Sequence, residues 1–267
     1  MKGRVLIVAG SDSGGGAGIQ ADLKTVTALG GYGATAITAL TAQDTRTVHA
    51  IHEVPPAFVR RQIEVVLDDI GADAVRTGML HRIEVLAAVA ETLAAKAAGV
   101  PLVVDPVMVA KGGARLLRED AIGFVRARLL PLAAVLTPNV PEAELLAEMK
   151  IDGPDALQAA GARLRAMGVR AVLMKGGHLA GPRVRDVLFD ADGVVVFESP
   201  RLETPHTHGT GCTLASAIAT GLAQGLALRA AVGRARSYVH EAIRTAPGYG
   251  GGHGPLNHAH TVRPFQA

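Results

Sequence analysis

The sequence predicts an α/β protein in three layers: a mostly parallel central sheet between two helical layers, with a late hairpin at the sheet's edge, in one domain over residues 1–267. Three observations lead there. Short, almost wholly apolar runs such as residues 4–9 have the pattern of strands buried on both faces of a parallel sheet. Those runs alternate with helical stripes, as in residues 55–70, where Phe58, Ile63, Val66, Leu67 and Ile70 recur at helical spacing behind a starting proline. Residues 185–190 and 193–198, joined at Ala191-Asp192, read as a hairpin that extends the sheet. No internal repeat or linker interrupts the alternation, which argues for a single layered domain.

Composition narrows the functional classes. A chain of 267 residues with 49% hydrophobic content easily supplies a core. Aromatics make up only 3% and tryptophan is absent, so nucleic-acid binding through base stacking is not expected. The net charge of +3 comes from scattered arginines, not a basic run. A single cysteine excludes an internal disulfide, and no apolar run reaches the length of a membrane span. The start runs straight into a short strand and a glycine loop, unlike a signal peptide, so the cytoplasm is the expected compartment.

Along the chain, the first strand ends in Gly10-Ser-Asp-Ser-Gly-Gly-Gly-Ala-Gly18, and residues 19–29 read as a helix. Strand, glycine loop and helix place ligand contacts at the carboxyl end of a strand. Neither a Walker loop nor a dinucleotide fingerprint is convincingly present, yet five glycines beside Asp12 and Asp22 favour a substrate loop over a plain turn. Residues 33–39 form a second strand, followed by a loop carrying Gln43, whose amide both donates and accepts, as recognition of an amino-bearing heteroaromatic ring requires. Residues 73–78 give a third strand and its turn, with Met79 placed either to enter a pocket or to fill the core.

A helix over residues 83–98 leads to the strand at 101–108, interrupted by Asp105. A carboxylate there is costly unless paired, solvated or bound to a cation. Lys111-Gly-Gly113 reads as a mobile loop. After the strand at 134–139, Asn139 and Glu142 stand three apart at a helix start. They could share a magnesium ion through its waters or form a helix cap, and this segment leaves both open. A helix near 154–167 precedes a strand and turn at 171–178 with Lys175 at the strand end, where it could meet a phosphate. Gly209-Thr-Gly-Cys212 then feeds a helix over 210–224, followed by another over 228–244 and a glycine-rich tail at 248–258. Gly209, Thr210 and Gly211 bring unpaired N–H groups and the positive end of a helix dipole to one point, an anion site. Cys212 lies in that first turn, where a thiolate is favoured and an acidic thiol is expected. A glycine-rich turn capped by Thr207 or Thr210, with Cys212 as a small hydrophobe, is the plainer alternative.

Collected in order, these stretches resemble the hydroxymethylpyrimidine/phosphomethylpyrimidine kinases of thiamine biosynthesis, within the ribokinase-like superfamily. The resemblance is carried by residues 9–25, 37–45, 104–108, 137–142, 174–177 and 209–212, and it runs nearly end to end. It implies ATP-dependent phosphorylation of 4-amino-5-hydroxymethyl-2-methylpyrimidine and then of its monophosphate. It also implies roles: the first glycine loop from Gly10, with Asp22, Gln43, Met79 and Val107, around the pyrimidine; Asn139 and Glu142 on magnesium, supported by Asp105; Lys175 on the transferring phosphates; and Gly209 to Cys212 as the anion hole. The wider superfamily usually places an aspartate where this chain has Cys212, which leaves the general base open between a thiolate and none. A partial base role for Cys212 is the expectation. Arg76 stands where relatives usually have lysine and is expected to be a surface-compatible change. A homodimer is implied, and dependence on a monovalent cation stays open. A pyridoxal kinase of the same superfamily is the nearest alternative; a non-catalytic pyrimidine-binding protein is a second, disfavoured by Lys175, Asn139, Glu142 and the anion loop.

Overall fold

The computed structural model describes residues 1–108, 121–177 and 181–263, and among these a sheet of nine strands is flanked by helices on both faces. In chain order the elements are β1 (Arg4–Asp12), α1 (Gly18–Ala28), β2 (Tyr32–Gln43), β3 (Val48–Glu53), α2 (Pro56–Asp69), β4 (Ala74–Thr77), α3 (Ile83–Lys96) and β5 (Leu102–Val104). Then come α4 (Ala121–Phe124), β6 (Val135–Leu136), α5 (Val140–Ala147), α6 (Pro154–Ala166), β7 (Val172–Met174), β8 (Arg183–Asp190), β9 (Gly193–Pro200), α7 (Thr210–Ala223) and α8 (Leu228–Arg244). The sheet order is β3-β2-β1-β4-β5-β6-β7-β8-β9. Strands β2, β1, β4, β5, β6 and β7 pair in parallel. The three-layer α/β expectation therefore holds, including the late hairpin, in which Arg183 faces Pro200 and Asp190 faces Gly193.

Strand β1, third in the sheet order, is apolar on both sides. Val5, Ile7 and Ala9 join the core beneath α1, α7 and α8, while Leu6 and Val8 join the core beneath α2, α3, α5 and α6. This alternation with no polar side explains the continuous apolar run in the sequence. Chain direction then positions the site. After β1 the chain crosses to one face through α1, and after β4 it crosses to the other through α3, so a crevice opens between adjacent strands at their carboxyl ends.

Several elements differ from the sequence expectation: α4 is not among the expected helices, and β2 runs on to Gln43, which the sequence places in the loop after a strand at 33–39. Strand β3 is an antiparallel edge strand against β2 that the reading missed, because its Val-His-Ala-Ile-His-Glu run is half polar without a regular alternation and mostly exposed, as edges often are. Strand β5 stops at Val104 and does not run to Met108: the Asp105 N–H still donates to the Thr77 carbonyl, but Pro106 has no N–H to continue the ladder. The loop expected at 111–113 and the end of the 171–178 segment at His178 lie outside the described residues. Among the described residues no helix is long and apolar enough to cross a membrane.

Ile7 is fully buried in the middle of β1. Ile7→Ala is expected to lower unfolding free energy by about 2–5 kcal/mol, through lost burial and a residual cavity. Urea denaturation followed by circular dichroism checks this, and an unchanged midpoint would show that β1 is not the core strand.

Candidate active site

The carboxyl ends of the parallel strands bring together a charged cluster. On β4, Arg76 is wholly buried; its Nη1 donates to Asp22 on α1 at 2.8 Å, and its Nη2 lies 3.4 Å from Asp105, just past β5. Asp105 in turn accepts from Lys175, past β7, at 2.8 Å and from the Thr137 hydroxyl at 3.2 Å. Lys175 Nζ stands 3.8 Å from Glu142 at the start of α5. Two cations thus face three carboxylates in a space that excludes most water. Removing one partner from such a buried set leaves an uncompensated charge, which fixes the members relative to one another.

The environment sets each charge. Burial opposes ionisation of Asp105, but Lys175 and Arg76 outweigh it and hold its carboxyl below the usual carboxylate range. Burial lifts Asp22 to about 6, against the pull of Arg76 and the Ser216 hydroxyl, which donates to it at 2.7 Å. Burial also lifts Glu142, to about 7, against the attraction of Lys175 and with the repulsion of Asp105. Lys175 is raised: burial works against its charge, and Asp105 and Glu142 overcome that. The surplus of carboxylates is therefore moderated by two of them holding protons more readily than usual.

Helix α7 delivers the glycine loop to this cluster. Gly209 is its N-cap in the left-handed region at φ 81°, and a Cβ there would run into the Gly16 carbonyl, so only glycine lets the two glycine loops touch. The helix start has no side-chain cap; Thr210 donates its hydroxyl to the Thr207 carbonyl at 2.7 Å. At Gly211, a Cβ would lie 3.3 Å from an Asp105 oxygen and 3.4 Å from Lys175 Nζ. The N–H end of α7 is thus set beside Lys175. Just past the carboxyl end of β4, Met79 packs with Ala39, Val107 and Ile51 as an apolar wall, and a Cβ at Gly10 would meet Met79 Cε at 2.6 Å.

Asn139 and Glu142 form a full capping box on α5: the Asn139 side chain accepts from the Glu142 N–H at 2.9 Å, and the Glu142 carboxylate accepts from the Asn139 N–H at 2.8 Å. Of the two readings left open for this pair, the cap is present, and the Glu142 oxygen that accepts from Asn139, Oε2, is also the one that lies 3.8 Å from Lys175.

Three expectations are corrected. Arg76, expected to be surface-compatible, is among the largest fully buried side chains and joins two carboxylates. Asp22, expected at the pyrimidine, has no exposed surface, and its oxygens are occupied by Arg76 and Ser216. The thiol of Cys212, expected to be acidified by the helix, is instead pushed up to about 11: burial dominates, Arg76 pulls the other way, and Asp22 and Asp105 add repulsion. One participant, His208, escaped the sequence reading, and it meets Asp12, which that reading already places beside the first glycine loop. His208 Nε2 lies 2.8 Å from Asp12 and 3.4 Å from the Gln43 amide, and Asp12 accepts from the N–H groups of Gly14, Gly16 and Ala17. The position of His208, directly before Gly209, was the available signal.

With its pKa raised, Cys212 is a neutral thiol at pH 7, and the thiolate appears only as pH climbs past 9. Alkylation by iodoacetamide is expected to accelerate steadily from pH 7 to pH 10 without levelling. A plateau below pH 8 would demonstrate an acidic thiolate instead.

Comparison with known proteins places nearly the whole chain in a family. The family model described as phosphomethylpyrimidine kinase matches residues 12–257. A hydroxymethylpyrimidine/phosphomethylpyrimidine kinase of Streptomyces coelicolor is 52% identical over 95% of this chain and 93% of its own length. A thiamine biosynthesis bifunctional protein of Geobacter sulfurreducens is 54% identical over 96% of this chain, which spans only 52% of that longer relative. Among solved structures, an ADP complex of Bacillus subtilis pyridoxal kinase superposes with a TM-score of 0.90 at 36% identity, covering 97% of this chain and 98% of that one. The chain belongs to the phosphomethylpyrimidine kinase family.

Proposed function

We infer that the protein transfers the γ-phosphoryl group of ATP to the hydroxymethyl oxygen of 4-amino-5-hydroxymethyl-2-methylpyrimidine, and then phosphorylates the monophosphate to the diphosphate, in thiamine biosynthesis. The observation that carries the reading is the placement of Gly211, at the N–H end of α7, against Lys175 and Asp105, with the Gly10, Met79 and Val107 wall alongside. Phosphoryl transfer asks a protein for positioning and for stabilisation of charge that moves among oxygens. Backbone N–H groups of residues 209–212 and the Lys175 ammonium would meet the transferring group, while the wall and Gln43 hold the ring. The hydroxymethyl oxygen bonds to the γ-phosphorus as the bridging oxygen departs with ADP. A loose transition state needs little help in removing the hydroxyl proton, and a neutral Cys212 thiol serves to position that hydroxyl.

The donors fit a magnesium ion. Asp105, Asn139 and Glu142 offer hard oxygen ligands in a cluster with more carboxylates than cations. Among the described residues no three such side chains converge to hold a metal directly, so water and phosphate oxygens would complete its shell. Bound there, magnesium would neutralise charge on the phosphates. Asp105 keeps Lys175 pointed toward that charge, and the capping box holds Glu142 in place. A homodimer is proposed as well, and sedimentation of the full chain tests it.

The likeness to a pyridoxal kinase supports a second reading, phosphorylation of a pyridine that also bears a hydroxymethyl group. ADP release measured with each ring substrate separates the two: the proposal expects the higher kcat/KM with the pyrimidine, and the reverse order would favour the pyridine. Gln43→Ala is expected to raise the pyrimidine KM about 5- to 150-fold, as unpaired polar atoms on the bound ring would dictate, with the ATP KM unaltered. Lys175→Ala is expected to lower kcat by about 10²–10³-fold with little change in pyrimidine KM, because its charge acts mainly on the transition state. A Lys175→Ala enzyme with a wild-type kcat would remove the lysine from the chemistry.

A further inference from the structure

The Gln43 amide lies between two neighbours whose hydrogen-bonding roles are already fixed. One is His208, whose Nε2 is 3.4 Å from the amide and 2.8 Å from Asp12 Oδ2. The Asp12 carboxylate is an acceptor: burial opposes its charge, yet His208 and the N–H groups of Ala17 and Gly14 keep its pKa below the ordinary value. Two acceptors 2.8 Å apart would repel, so His208 Nε2 carries a hydrogen, donates it to Asp12, and offers Gln43 no lone pair. The other neighbour is Thr41. Its hydroxyl lies 3.2 Å from the amide, and its only proton goes to the Ser11 carbonyl at 2.8 Å, so it can only accept from Gln43. Placing Nε2 toward His208 and Oε1 toward Thr41 would set donor against donor and acceptor against acceptor. A half-turn of the amide removes both conflicts, with Oε1 facing the His208 hydrogen, which stays mainly on Asp12 and is shared at the longer 3.4 Å, and Nε2 facing Thr41.

We propose that His208, held by Asp12, is a positioning residue that fixes the orientation of the Gln43 amide and so decides which way round the substrate ring is read. The inference rests on Gln43 being the reader of the ring. The second hydrogen of Nε2 and the second lone pair of Oε1 form a donor–acceptor pair, complementary to a ring nitrogen beside an exocyclic amino group. With the acceptor on the His208 side, the amino group lies on that side too. The hydroxymethyl group, its neighbour on the ring, is then directed toward Gly209, which follows His208 and opens the anion loop. A ring carrying an oxo group in place of the amino group presents the opposite pattern and leaves both amide atoms mispaired.

The test compares kcat/KM for 4-amino-5-hydroxymethyl-2-methylpyrimidine with that for its 4-oxo analogue at saturating ATP, using the full chain. The preference for the amino ring is expected to fall about 10-fold or more in His208→Leu, where Thr41 alone faces the amide and its hydroxyl can follow a turned amide by swinging its proton from the Ser11 carbonyl to Gln43. His208→Gln, whose own N–H can reach Asp12 and Gln43, is expected to restore it, with the ATP KM constant throughout. Should His208→Leu fail to fold, His208→Asn, polar but too short to reach Gln43, is expected to show the same loss. A wild-type preference in the Leu or Asn variant, alongside a lost preference in Gln43→Ala, would overturn the role of His208. Equal losses for both rings at an unchanged ratio would mark a purely structural role and also overturn it. A wild-type preference in Gln43→Ala would instead overturn Gln43 as the reader.

Discussion

The interaction on which the rest of this structure depends is the wholly buried pairing of Arg76 with Asp22 and Asp105. It joins helix α1, strand β4 and the end of β5 across the crevice where the chain changes direction. An arginine is suited to this place because its planar fork presents separate N–H groups to two carboxylates and stays charged in a dry setting. Burying these charges costs much of what their attraction returns, so the cluster is better understood as a device for placement than as a source of stability. What it places is Asp105, and through Asp105 the ammonium of Lys175.

From that anchor the functional geometry follows. Lys175 is held by Asp105 on one side and drawn toward Glu142 on the other, and Glu142 is itself locked into the cap of α5. The start of α7 lies against the same pair, so helix dipole and lysine act on one volume. Contact between Gly209 and Gly16 ties the anion loop to the first glycine loop, and the bond from His208 to Asp12 ties them again through side chains. The two glycine loops are therefore joined at two points, which suits a reaction whose rate depends on alignment. Raised protonation of Cys212 fits this picture, since a charged thiolate beside Asp22 and Asp105 would add a further negative group to the surplus already present.

Much of this was legible in the sequence. Apolar runs with no polar side could only be strands covered on both faces, and glycine loops after strands marked the working edge of the sheet. Lys175, Asp105 and Gly211, read separately as strand ends and a loop, do converge. The parts that were not legible are those that depend on distant partners. Arg76 lies 54 residues from Asp22 and 29 from Asp105, so nothing in Ala-Val-Arg-Thr shows that its charge is buried. Asp12 and His208 are 196 residues apart and meet only because two loops touch. The dipole argument at Cys212 was sound for an exposed helix start but omitted burial, which dominates here. Asn139 and Glu142 had the spacing of a capping box, and that spacing alone could not decide between the cap and a shared cation.

The most direct measurement of the central claim is the stability of Arg76→Met, which keeps an unbranched apolar stem and removes the charge, against the wild type at pH 8 and at pH 4. At pH 8 the variant should lose about 3–5 kcal/mol, because Asp22 and Asp105 must either stay ionised without their common partner or take up protons far above their unfolded pKa. At pH 4 the gap should narrow, since without Arg76 both buried carboxylates take up protons readily and no longer need a counter-charge. A variant as stable as the wild type at pH 8, or one with the same deficit at both pH values, would contradict the account and leave Arg76 as packing alone.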